Sequence, residues 1–591
     1  MKKINLIKQS IHNVFTQPMI YLQSVLIIQL IKIIITIPVI SYLFYQLLSL
    51  TELEGLTDQN IKSLLFDPTS LLILLTFIFI ITFSIYFELG FFFVLADKQR
   101  SKVTYTYKSI FMQLTGKIKY FFSFYFILFT LYFLLILPLA SLGLDVSLTE
   151  NIKIPEFITD ELLTMAGGKF IFYGFMAFLF YLSVRLMFSV PYFVTEPALS
   201  IKDAVLKSFQ HTRENFFNIV ITIALIISTF SLVSLLVIAI ITAPLIMFEN
   251  YFTLSLPIFA GITLTILQAF FVLASGTIQP IMSDIIYQLA YPNQPSKIIN
   301  HEKQTIFTWI KNRKRILQVG FLGLIILAGF NAFSLNATIY QPTTQIVAHR
   351  GNTSEGLENT IASLVAAKDA QADFVEMDIQ ETSDNQFVVY HDANLKRLSK
   401  TRGTISQMRL DELTEVTISN KTYTEKIPSF EAYIDKAKEL DIQLLVEIKL
   451  HGKESPHFAQ NLVTLLEEKG VADSYIVQSL DYDILMKIQA INPEIKTSYV
   501  LALNIGNLPL TETPYLGLEE FSINDTLLKE ADEKQIEIMI WTVNKTDLLH
   551  KHIRNNSAYI ITNYPREAVE IRDSYNKSQT FTKRIKYLLD I

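Results

Sequence analysis

Three acidic residues near the ends of predicted strands could bind a metal ion: Glu376 and Asp378 in "FVEMDI" and Glu447 in "LLVEI". Side chains two residues apart in a strand point to the same face, so Glu376 and Asp378 share one face. Neighbouring carboxylates repel one another without a cation, and oxygen ligands in a chain that has no cysteine suit Mg²⁺ or Ca²⁺. The pattern therefore predicts a divalent cation site, and the alternative is three unrelated surface acids.

Two histidines also follow predicted strands, His349 in "IVAHRG" and His391 in "VVYHD". Histidine titrates near neutral pH and can give or take a proton during catalysis, although a single histidine is more often a solvated or capping residue. Arg350 and Lys449 add positive charge, and Arg can bind a phosphate with a fork of donors. Two histidines, a divalent cation and two cationic side chains together predict phosphodiester hydrolysis.

The tripeptide Glu358-Asn359-Thr360 begins a predicted helix shortly after the first histidine. Asn359 or Thr360 could cap that helix, because a side-chain oxygen at the N-cap accepts from the free amides of the first turn. The alternative is that Glu358 and Asn359 help to form the same site as His349. Both interpretations remain open at the level of the sequence.

Short strands alternate with amphipathic helical segments from about residue 340 onward. The eight predicted strands are 345–349, 374–379, 444–448, 475–479, 497–501, 520–523, 536–542 and 558–562, with an extra short pair through 387–392. Helical spacing occurs in 359–371, 429–440 and 457–470. Eight strands alternating with helices predict an α/β TIM barrel, whose active site lies at the C-terminal ends of the strands. The candidate residues lie at those ends, and Trp541 ends the seventh strand.

The first half of the chain is apolar. Hydrophobic residues make up 51% of the chain and charged residues 18%, and nearly all the long apolar runs precede residue 336. A bilayer core needs about 20 apolar residues in a helix. Seven candidate spans lie at 19–47, 70–96, 120–144, 170–195, 217–247, 253–283 and 316–336. The sequence thus predicts an α-helical transmembrane bundle over 1–336, the barrel over 340–575 and a C-terminal tail over 576–591.

Loop charges predict the orientation of this bundle. The segments 97–119 and 284–315 are basic, whereas 48–68 and 145–168 are acidic. Basic loops stay in the cytoplasm, so seven crossings begin with a cytoplasmic N-terminus and place the barrel outside the cell membrane. The net charge of −5 gives no support to a nucleic-acid partner.

Three charged residues, Lys32, Glu88 and Arg185, fall within the predicted spans. Charges inside a bilayer are costly and often functional. We expect snorkelling side chains or a structural pair between Glu88 and Arg185, and the alternative is a site for a lipid headgroup or a transported substrate.

The motifs "AHRG", "ENT", "EMDIQET", "VVYHD", "VEIK" and "WTVN" together resemble those of the glycerophosphodiester phosphodiesterase family. The resemblance covers about 344–570 and extends through 395–413, "IPSFE" at 427–431 and "IITNYP" at 560–565. The apolar first half looks like the membrane domain that some Gram-positive bacterial members carry. The combination is specific, whereas any one motif alone is not.

The resemblance implies metal-dependent hydrolysis of glycerophosphodiesters to sn-glycerol 3-phosphate and an alcohol. The implied roles are metal binding for Glu376, Asp378 and Glu447, catalysis for His349 and His391, phosphate binding for Arg350 and Lys449, shaping of the site for Glu358 and Asn359, and contact with the glycerol for Trp541. Lipid headgroups or extracytoplasmic glycerophosphate polymers are the expected substrates, with membrane lipids as partners. The alternatives are a phospholipase D-like lipid hydrolase and a transporter or sensor with a non-catalytic barrel.

The chain departs from the family pattern at three positions. Leu357 replaces the usual Pro before "ENT", which changes backbone stiffness but no chemical group. Asn385 replaces a usual Gly, and Asn tolerates the left-handed conformation that the turn needs. Asn563 replaces a usual Asp, which weakens any argument for a charged role there. The metal and histidine set is complete, so the sequence predicts an active enzyme.

Overall fold

The computed structural model of the chain describes residues 2–589, apart from 132–158, 293–312, the shorter stretches 102–104, 164–166, 252–255, 338–341 and 577–579, and a few isolated positions. It divides into two compact units. The first includes Met1–Leu47 and Gly167–Ala337, and the second includes Thr338–Ile591. Leu48–Phe66 groups with the second unit, although the sequence boundary at 336 assigns these residues to the membrane part.

Apolar helices build the first unit. Among the described residues, six helical segments are long and apolar enough to cross a membrane: Ile20–Thr51, Pro68–Arg100, Gly168–Thr195, Ile201–Phe248, Leu256–Ala290 and Gln318–Ala337. They correspond to six of the predicted spans, and most of the remaining one, 120–144, lies outside the described residues. A helix suits such runs because it satisfies every backbone polar group within the segment.

The individual helices of this unit have the following bounds: Lys2–Thr16, Pro18–Ile31, Lys32–Thr36 in π conformation, Ile37–Thr51, Pro68–Arg100, Tyr107–Thr115, Ile118–Phe122 in 3₁₀ conformation, Gly168–Leu186, Ser189–Thr195, Ile201–Phe248, Leu256–Ala290 and Arg313–Ala337. Aromatic side chains fill much of the core between them. The rings of Tyr86, Phe121 and Phe193 are buried and in contact, with Tyr86 at 4.8 Å from Phe121 and 5.9 Å from Phe193. Such rings bury large apolar areas.

The buried Glu88 pairs with Lys32. The Lys32 Nζ atom lies 3.0 Å from each Glu88 carboxylate oxygen, and Gln279 Nε2 donates to Glu88 Oε1 at 3.1 Å. The Arg185 guanidinium instead lies over the ring of Phe209, 4.7 Å from its centre. The expected pair between Glu88 and Arg185 is therefore wrong: the lysine is the cation that reaches the carboxylate, and Arg185 is stabilised by an aromatic face.

Eight parallel strands form the second unit's barrel: β1 (Gln345–Ala348), β2 (Phe374–Glu381), β3 (Gln443–Ile448), β4 (Ile476–Ser479), β5 (Lys496–Leu501), β6 (Tyr515–Glu519), β7 (Glu537–Trp541) and β8 (Tyr559–Thr562). Each strand pairs with the next, and β1 pairs with both β2 and β8, which closes the sheet. The predicted TIM barrel is confirmed. Closure removes every sheet edge and brings all C-terminal strand ends to one rim.

The sixth strand lies earlier in the chain than predicted. The sequence favoured 520–523, whereas β6 is Tyr515–Glu519 and Glu520–Ser522 form a 3₁₀ turn. The Glu519 carboxylate accepts a hydrogen bond from the Phe521 amide at 2.7 Å, which stabilises the turn. Gly517 interrupts the apolar pattern of β6, but it faces Val500 of β5, where its small size permits close packing.

Helices cover the barrel: Ile361–Asp369, Leu410–Thr414, Phe430–Glu439, Phe458–Glu468, Tyr482–Ile491, Asp525–Lys534, Thr546–Arg554, Pro565–Asn576 and Phe581–Leu589. The predicted helices 359–371, 429–440 and 457–470 are confirmed, and each observed helix is one or two residues shorter at each end. Further short strands are Phe387–Val389, Thr417–Ser419 and Thr424–Lys426. Seven of the eight barrel strands contribute one buried residue each to a common cluster, which fills the barrel interior at its N-terminal end: Val347, Phe374, Leu445, Ile476, Tyr515, Met539 and Ile561.

One crossover lacks a helix. The connection from β5 to β6, residues 502–514, is described throughout and contains the short strand Asn504–Gly506 in place of a helix. Gly55–Thr57, from the segment that follows helix Ile37–Thr51, pairs with it in antiparallel orientation. We call Glu52–Asn60 the strap.

Candidate active site

The three predicted metal ligands meet at the C-terminal rim of the barrel. Glu376 and Asp378 lie on β2 and Glu447 on β3, where Asp378 and Glu447 are register partners. All three are buried, and ligand atoms from each lie within 4.8 Å of one another. This excludes the alternative of unrelated surface acids, because buried carboxylates in contact need a compensating charge.

Amide and cationic groups surround the carboxylates. The Arg350 amide donates to Glu376 Oε2 at 2.8 Å, and Asn359 Nδ2 donates to Asp378 Oδ2 at 2.7 Å. Lys449 Nζ lies 3.3 Å from Asp378 Oδ1 and also contacts Glu447. These groups hold the acids in place and leave the cluster with both predicted phosphate-binding cations beside it.

A divalent cation fits the oxygens that remain. Glu376 Oε1 and Asp378 Oδ1 are buried and accept no hydrogen bond among the described residues. Burial, together with the nearby charges of Asp378 and Glu447, raises the pKa of Glu376. For Asp378, burial opposes ionisation, but Lys449 and other cations lower its pKa below the usual range. Glu376 Oε1 has no cation within ion-pair distance among the described residues, and Asp378 Oδ1 has only the Lys449 ammonium, at 3.3 Å. Three buried carboxylates with such oxygens have the donor chemistry that Mg²⁺ or Ca²⁺ prefers.

His349 lies beside this cluster at the end of β1. Its Nδ1 atom is 2.7 Å from Asn563 Oδ1, and its Nε2 atom is 3.9 Å from Glu376 Oε2. With the amide oxygen as acceptor, the ring carries its proton on Nδ1 and leaves Nε2 unprotonated. Burial, with the charge of Arg350, lowers the pKa of His349 to about 3. The ring is therefore neutral near pH 7 and can accept a proton.

His391 belongs to a charged network instead. Its Nδ1 atom lies 2.8 Å from Asp392 Oδ1. Arg397 binds Asp392 through Nε at 2.7 Å and binds both oxygens of Glu358 at 2.6 and 2.7 Å. Arg350 also reaches Glu358, at 3.2 Å. The carboxylate of Asp392 thus fixes the orientation of the His391 ring, and Arg397 fixes Asp392.

Left-handed backbone conformations shape the loop after β1. Arg350 has φ 55° and Asn359 has φ 58°, and Gly351 between them has φ 82°. A β-carbon at Gly351 would collide with Ser363, so only glycine fits. Asn359 does not cap the helix that follows; Thr360 does, accepting from the Ser363 amide at 3.3 Å. Asn359 is thereby available to bind Asp378.

Two family models match the chain. The model described as the membrane domain of glycerophosphoryl diester phosphodiesterase matches residues 7–330, which is more than half of the chain. The model described as the glycerophosphoryl diester phosphodiesterase family matches residues 349–567. The chain belongs to the glycerophosphoryl diester phosphodiesterase family. The predicted resemblance and enzyme class are confirmed, and the chain is a phosphodiester hydrolase of this family with a membrane domain.

Two relatives of the barrel are named as glycerophosphodiester phosphodiesterases, one of them provisionally, and a third is named as a lysophospholipase D. The chain is 28% identical over 231 residues to YhdW of Bacillus subtilis, covering 37% of this chain and 94% of the relative. It is 24% identical over 236 residues to a glycerophosphodiester phosphodiesterase of Caldanaerobacter subterraneus, covering 39% and 97%. It is also 35% identical over 97 residues to a lysophospholipase D of Rattus norvegicus, covering 16% and 31%.

The structure brings most of the predicted site residues of this family member together. The contacts above link the three metal-ligand candidates, both histidines, Arg350, Lys449, Glu358 and Asn359. Trp541 ends β7 at the same end of the barrel, opposite Glu519 of β6. Asn385 has φ 57°, as expected for its turn. The individual roles of these residues stay predictions.

Four polar residues around the phosphodiesterase site received no role from the sequence. Asp392 and Arg397 lie in the motifs at 388–392 and 395–413. Their nearness to His391 in the sequence was the signal that could have assigned them to the site. Asn563 carries no charge where the family usually has Asp, yet its Oδ1 atom binds His349. Gln478 donates to Glu447 Oε2 at 2.8 Å, and only its place at the end of β4 could have indicated this.

Proposed function

We propose that the chain hydrolyses glycerophosphodiesters to sn-glycerol 3-phosphate and an alcohol in a metal-dependent reaction at the barrel rim. The observation that carries the proposal is the group of three buried carboxylates bordered by Arg350, Lys449 and two histidines. Such a set can bind a cation and a phosphate at the same place. A purified protein that released no sn-glycerol 3-phosphate from glycerophosphocholine, with Mg²⁺ or with Ca²⁺, would contradict it.

Glu376, Asp378 and Glu447 would hold the divalent cation. When bound, the ion polarises a phosphoryl oxygen and neutralises the negative charge that develops on the phosphate. Arg350 and Lys449 are placed to bind the remaining phosphate oxygens, because both contact the same carboxylates. Titration of the metal-free protein with Mg²⁺ and Ca²⁺ in a calorimeter, beside a hydrolysis assay, tests this part separately.

The two histidines have different surroundings, which suggests different roles. We assign His349 as the base, because its Nδ1 atom bonds to Asn563 Oδ1 and leaves Nε2 unprotonated beside the carboxylate cluster. His391 is the acid, because Asp392 holds its ring through Nδ1 and leaves Nε2 to face the leaving group. His391→Ala should lower hydrolysis of glycerophosphocholine by about 100-fold. It should affect a p-nitrophenyl diester much less, because this leaving group departs without a proton. His349→Ala should slow both.

The barrel is proposed to face the outside of the cell. The loop charges support this orientation, and the pairing of Gly55–Thr57 with Asn504–Gly506 requires the segment after the first span and the barrel to lie on the same side. Because the chain has no cysteine, single cysteines can report the side. Lys453→Cys should react with an impermeant maleimide in intact cells, and Lys8→Cys should react only after lysis.

An outward barrel would meet glycerophosphodiester headgroups of membrane lipids and extracytoplasmic glycerophosphate polymers. The stretch shared with a lysophospholipase D favours lysolipids as a second candidate substrate class. Comparing glycerophosphocholine, lysophosphatidylcholine and polyglycerol phosphate under one metal condition separates these choices. Hydrolysis of lysophosphatidylcholine alone would favour the lipid hydrolase, and hydrolysis of none would favour a binding module.

A further inference from the structure

The strap is bound to the barrel by a regular set of backbone contacts. Gly55, Leu56 and Thr57 pair with Gly506, Ile505 and Asn504 in antiparallel register. The Asn507 amide donates to the Glu54 carbonyl at 3.3 Å, which extends the pairing by one residue. The Leu503 amide donates to Asp58 Oδ1 at 3.2 Å at the other end. The strap therefore satisfies polar groups along the whole short strand after β5.

The sequence of the strap suits this one position. Asn60 Oδ1 accepts from the Thr57 amide and Asn60 Nδ2 donates to the Gly55 carbonyl, each at 2.9 Å, which closes the strap on itself. A β-carbon on Gly55 would lie 2.5 Å from the carbonyl oxygen of Asn507 and 3.2 Å from that of Ile505. Both obstacles are backbone atoms and cannot rotate away. Glycine is needed at this position because the strap and the strand Asn504–Gly506 approach each other so closely.

The partner of the strap belongs to the catalytic face. Residues 502–508 follow the C-terminal end of β5, and the βα connections at these ends form the active-site rim of a TIM barrel. The Asn504 amide donates to Ser522 Oγ at 2.9 Å, and the Leu508 amide donates to Glu530 at 3.1 Å. With no helix in 502–514 to hold it, this part of the rim depends on such contacts and on the strap.

We propose that the strap is a positioning element of the catalytic rim, which holds the β5–β6 connection in the conformation that admits the glycerol part of the substrate. The inference rests on the proposed phosphodiesterase activity. None of the residues assigned to proton transfer or metal binding lies in the strap, so its loss should weaken substrate binding and leave the chemical step unchanged. Substrates whose glycerol carries an acyl chain, such as lysophosphatidylcholine, should depend on it more than glycerophosphocholine.

Cysteine cross-linking tests the contact itself in the full-length protein. Leu56 and Ile505 are directly opposite each other, and cross-strand partners are close enough for a disulfide. In a chain without cysteine, Leu56→Cys with Ile505→Cys can form only one intramolecular bond. Oxidation in membranes should cross-link this pair and leave Lys62→Cys with Ile505→Cys unlinked. Equal cross-linking of both pairs, or of neither, would overturn the proposed register.

Kinetics of a glycine substitution test the role. Gly55→Ala should raise KM for lysophosphatidylcholine by about tenfold and KM for glycerophosphocholine less, with kcat unchanged, the pattern expected when uniform binding is lost. Gly174→Ala is the matched control, since no described atom lies within 4 Å of a β-carbon added there. An unchanged KM, or an equal fall of kcat with both substrates, would overturn the role.

A second variant covers the case in which Gly55→Ala does not fold. Asp58→Ala removes the bond to the Leu503 amide, together with a long exposed bond from Gln59 at 3.4 Å. It should raise KM in the same direction by about threefold. The oxidised cysteine pair should retain the wild-type KM. If the wild-type protein hydrolysed no glycerophosphodiester while the cross-link formed normally, the proposed function would fail and the strap contact would stand. If the wild type were active and no variant changed KM, the strap's role alone would fail.

Discussion

Two buried acidic regions of this molecule differ in how completely their charges are satisfied. In the membrane unit, Asp284 accepts from Arg100 Nε at 2.8 Å and Nη2 at 2.7 Å, and its Oδ2 atom also accepts from Asn13 and Gln288. At the barrel rim, Glu376 and Asp378 each keep a buried oxygen without a hydrogen bond among the described residues. Both regions bury negative charge, but only the rim retains unused ligand capacity.

The difference separates structure from function. A buried acid whose oxygens are all bonded stabilises one packing arrangement and has nothing left to offer a ligand. A cluster of several buried acids with open oxygens is unfavourable until a cation arrives, and so indicates a binding site. Asp284 and Asp378 are equally buried, so burial does not distinguish them, and only their hydrogen bonds do.

The largest expected effect is at the open cluster. Glu376→Gln should lower kcat/KM by on the order of 10³-fold, since a bound metal contributes several kcal/mol of transition-state stabilisation. It should also abolish any rise in Tm on adding Mg²⁺ or Ca²⁺. Glu381→Gln, on the same strand but bonded to Ser455, is the control and should keep both. Equal losses of kcat/KM in the two variants would show that the open oxygen of Glu376 has no special role.

At the closed cluster we expect a loss of stability without a loss of catalysis. Asp284→Asn removes the carboxylate charge that pairs with the buried Arg100, which should cost about 3–5 kcal/mol. Thermal unfolding in detergent measures the cost, and Glu214→Gln, exposed on helix Ile201–Phe248, serves as the control. Reduced kcat per folded molecule, with unchanged stability, would show that the Asp284 cluster is functional after all.

A smaller effect is expected from Arg397, which touches the acids around His391 rather than the metal cluster. Arg397→Lys keeps the charge but loses the fork that binds Glu358 and Asp392. We expect kcat to fall by about tenfold with little change in KM, and the pH profile of kcat to shift because Asp392 no longer holds His391 in place. The exposed Arg409→Lys should leave both unchanged. Identical kcat and pH profiles in wild type and Arg397→Lys would argue against a positioning role.

The smallest effect concerns acid stability. Burial opposes ionisation of Glu358, but Arg397 and Arg350 lower its pKa to about 2. A depressed folded-state pKa stabilises the fold above the unfolded value near 4.5, and this stabilisation is lost as the pH falls toward 2. Between pH 7 and pH 4 the loss should be about 1 kcal/mol. Denaturant unfolding of Glu358→Gln should show a correspondingly weaker pH dependence, and an equal slope in both proteins would contradict the assignment.

Much of the barrel and the site was predictable because local patterns determine them. Residues Glu376 and Asp378 share a face by strand geometry alone, and the β1 motif places His349 at a rim. The position of β6 was not predictable in this way, because "EFSI" has the better strand pattern and the bond from Phe521 to Glu519 decides against it. Asn563 and Gln478 meet their partners only through the closed sheet, and single-sequence patterns carry no such long-range information.

The strap also has a consequence for the order of assembly. Gly55 and Gly506 are register partners that lie 451 positions apart, from 506 minus 55. The strap is therefore synthesised long before the strand it pairs with. Its backbone groups have no strand partner while the later helices enter the bilayer. Contacts of such sequence separation form late. The active-site rim is thus completed only near the end of biosynthesis, so a truncated chain that stops before β5 would carry an unprotected strap and no finished rim.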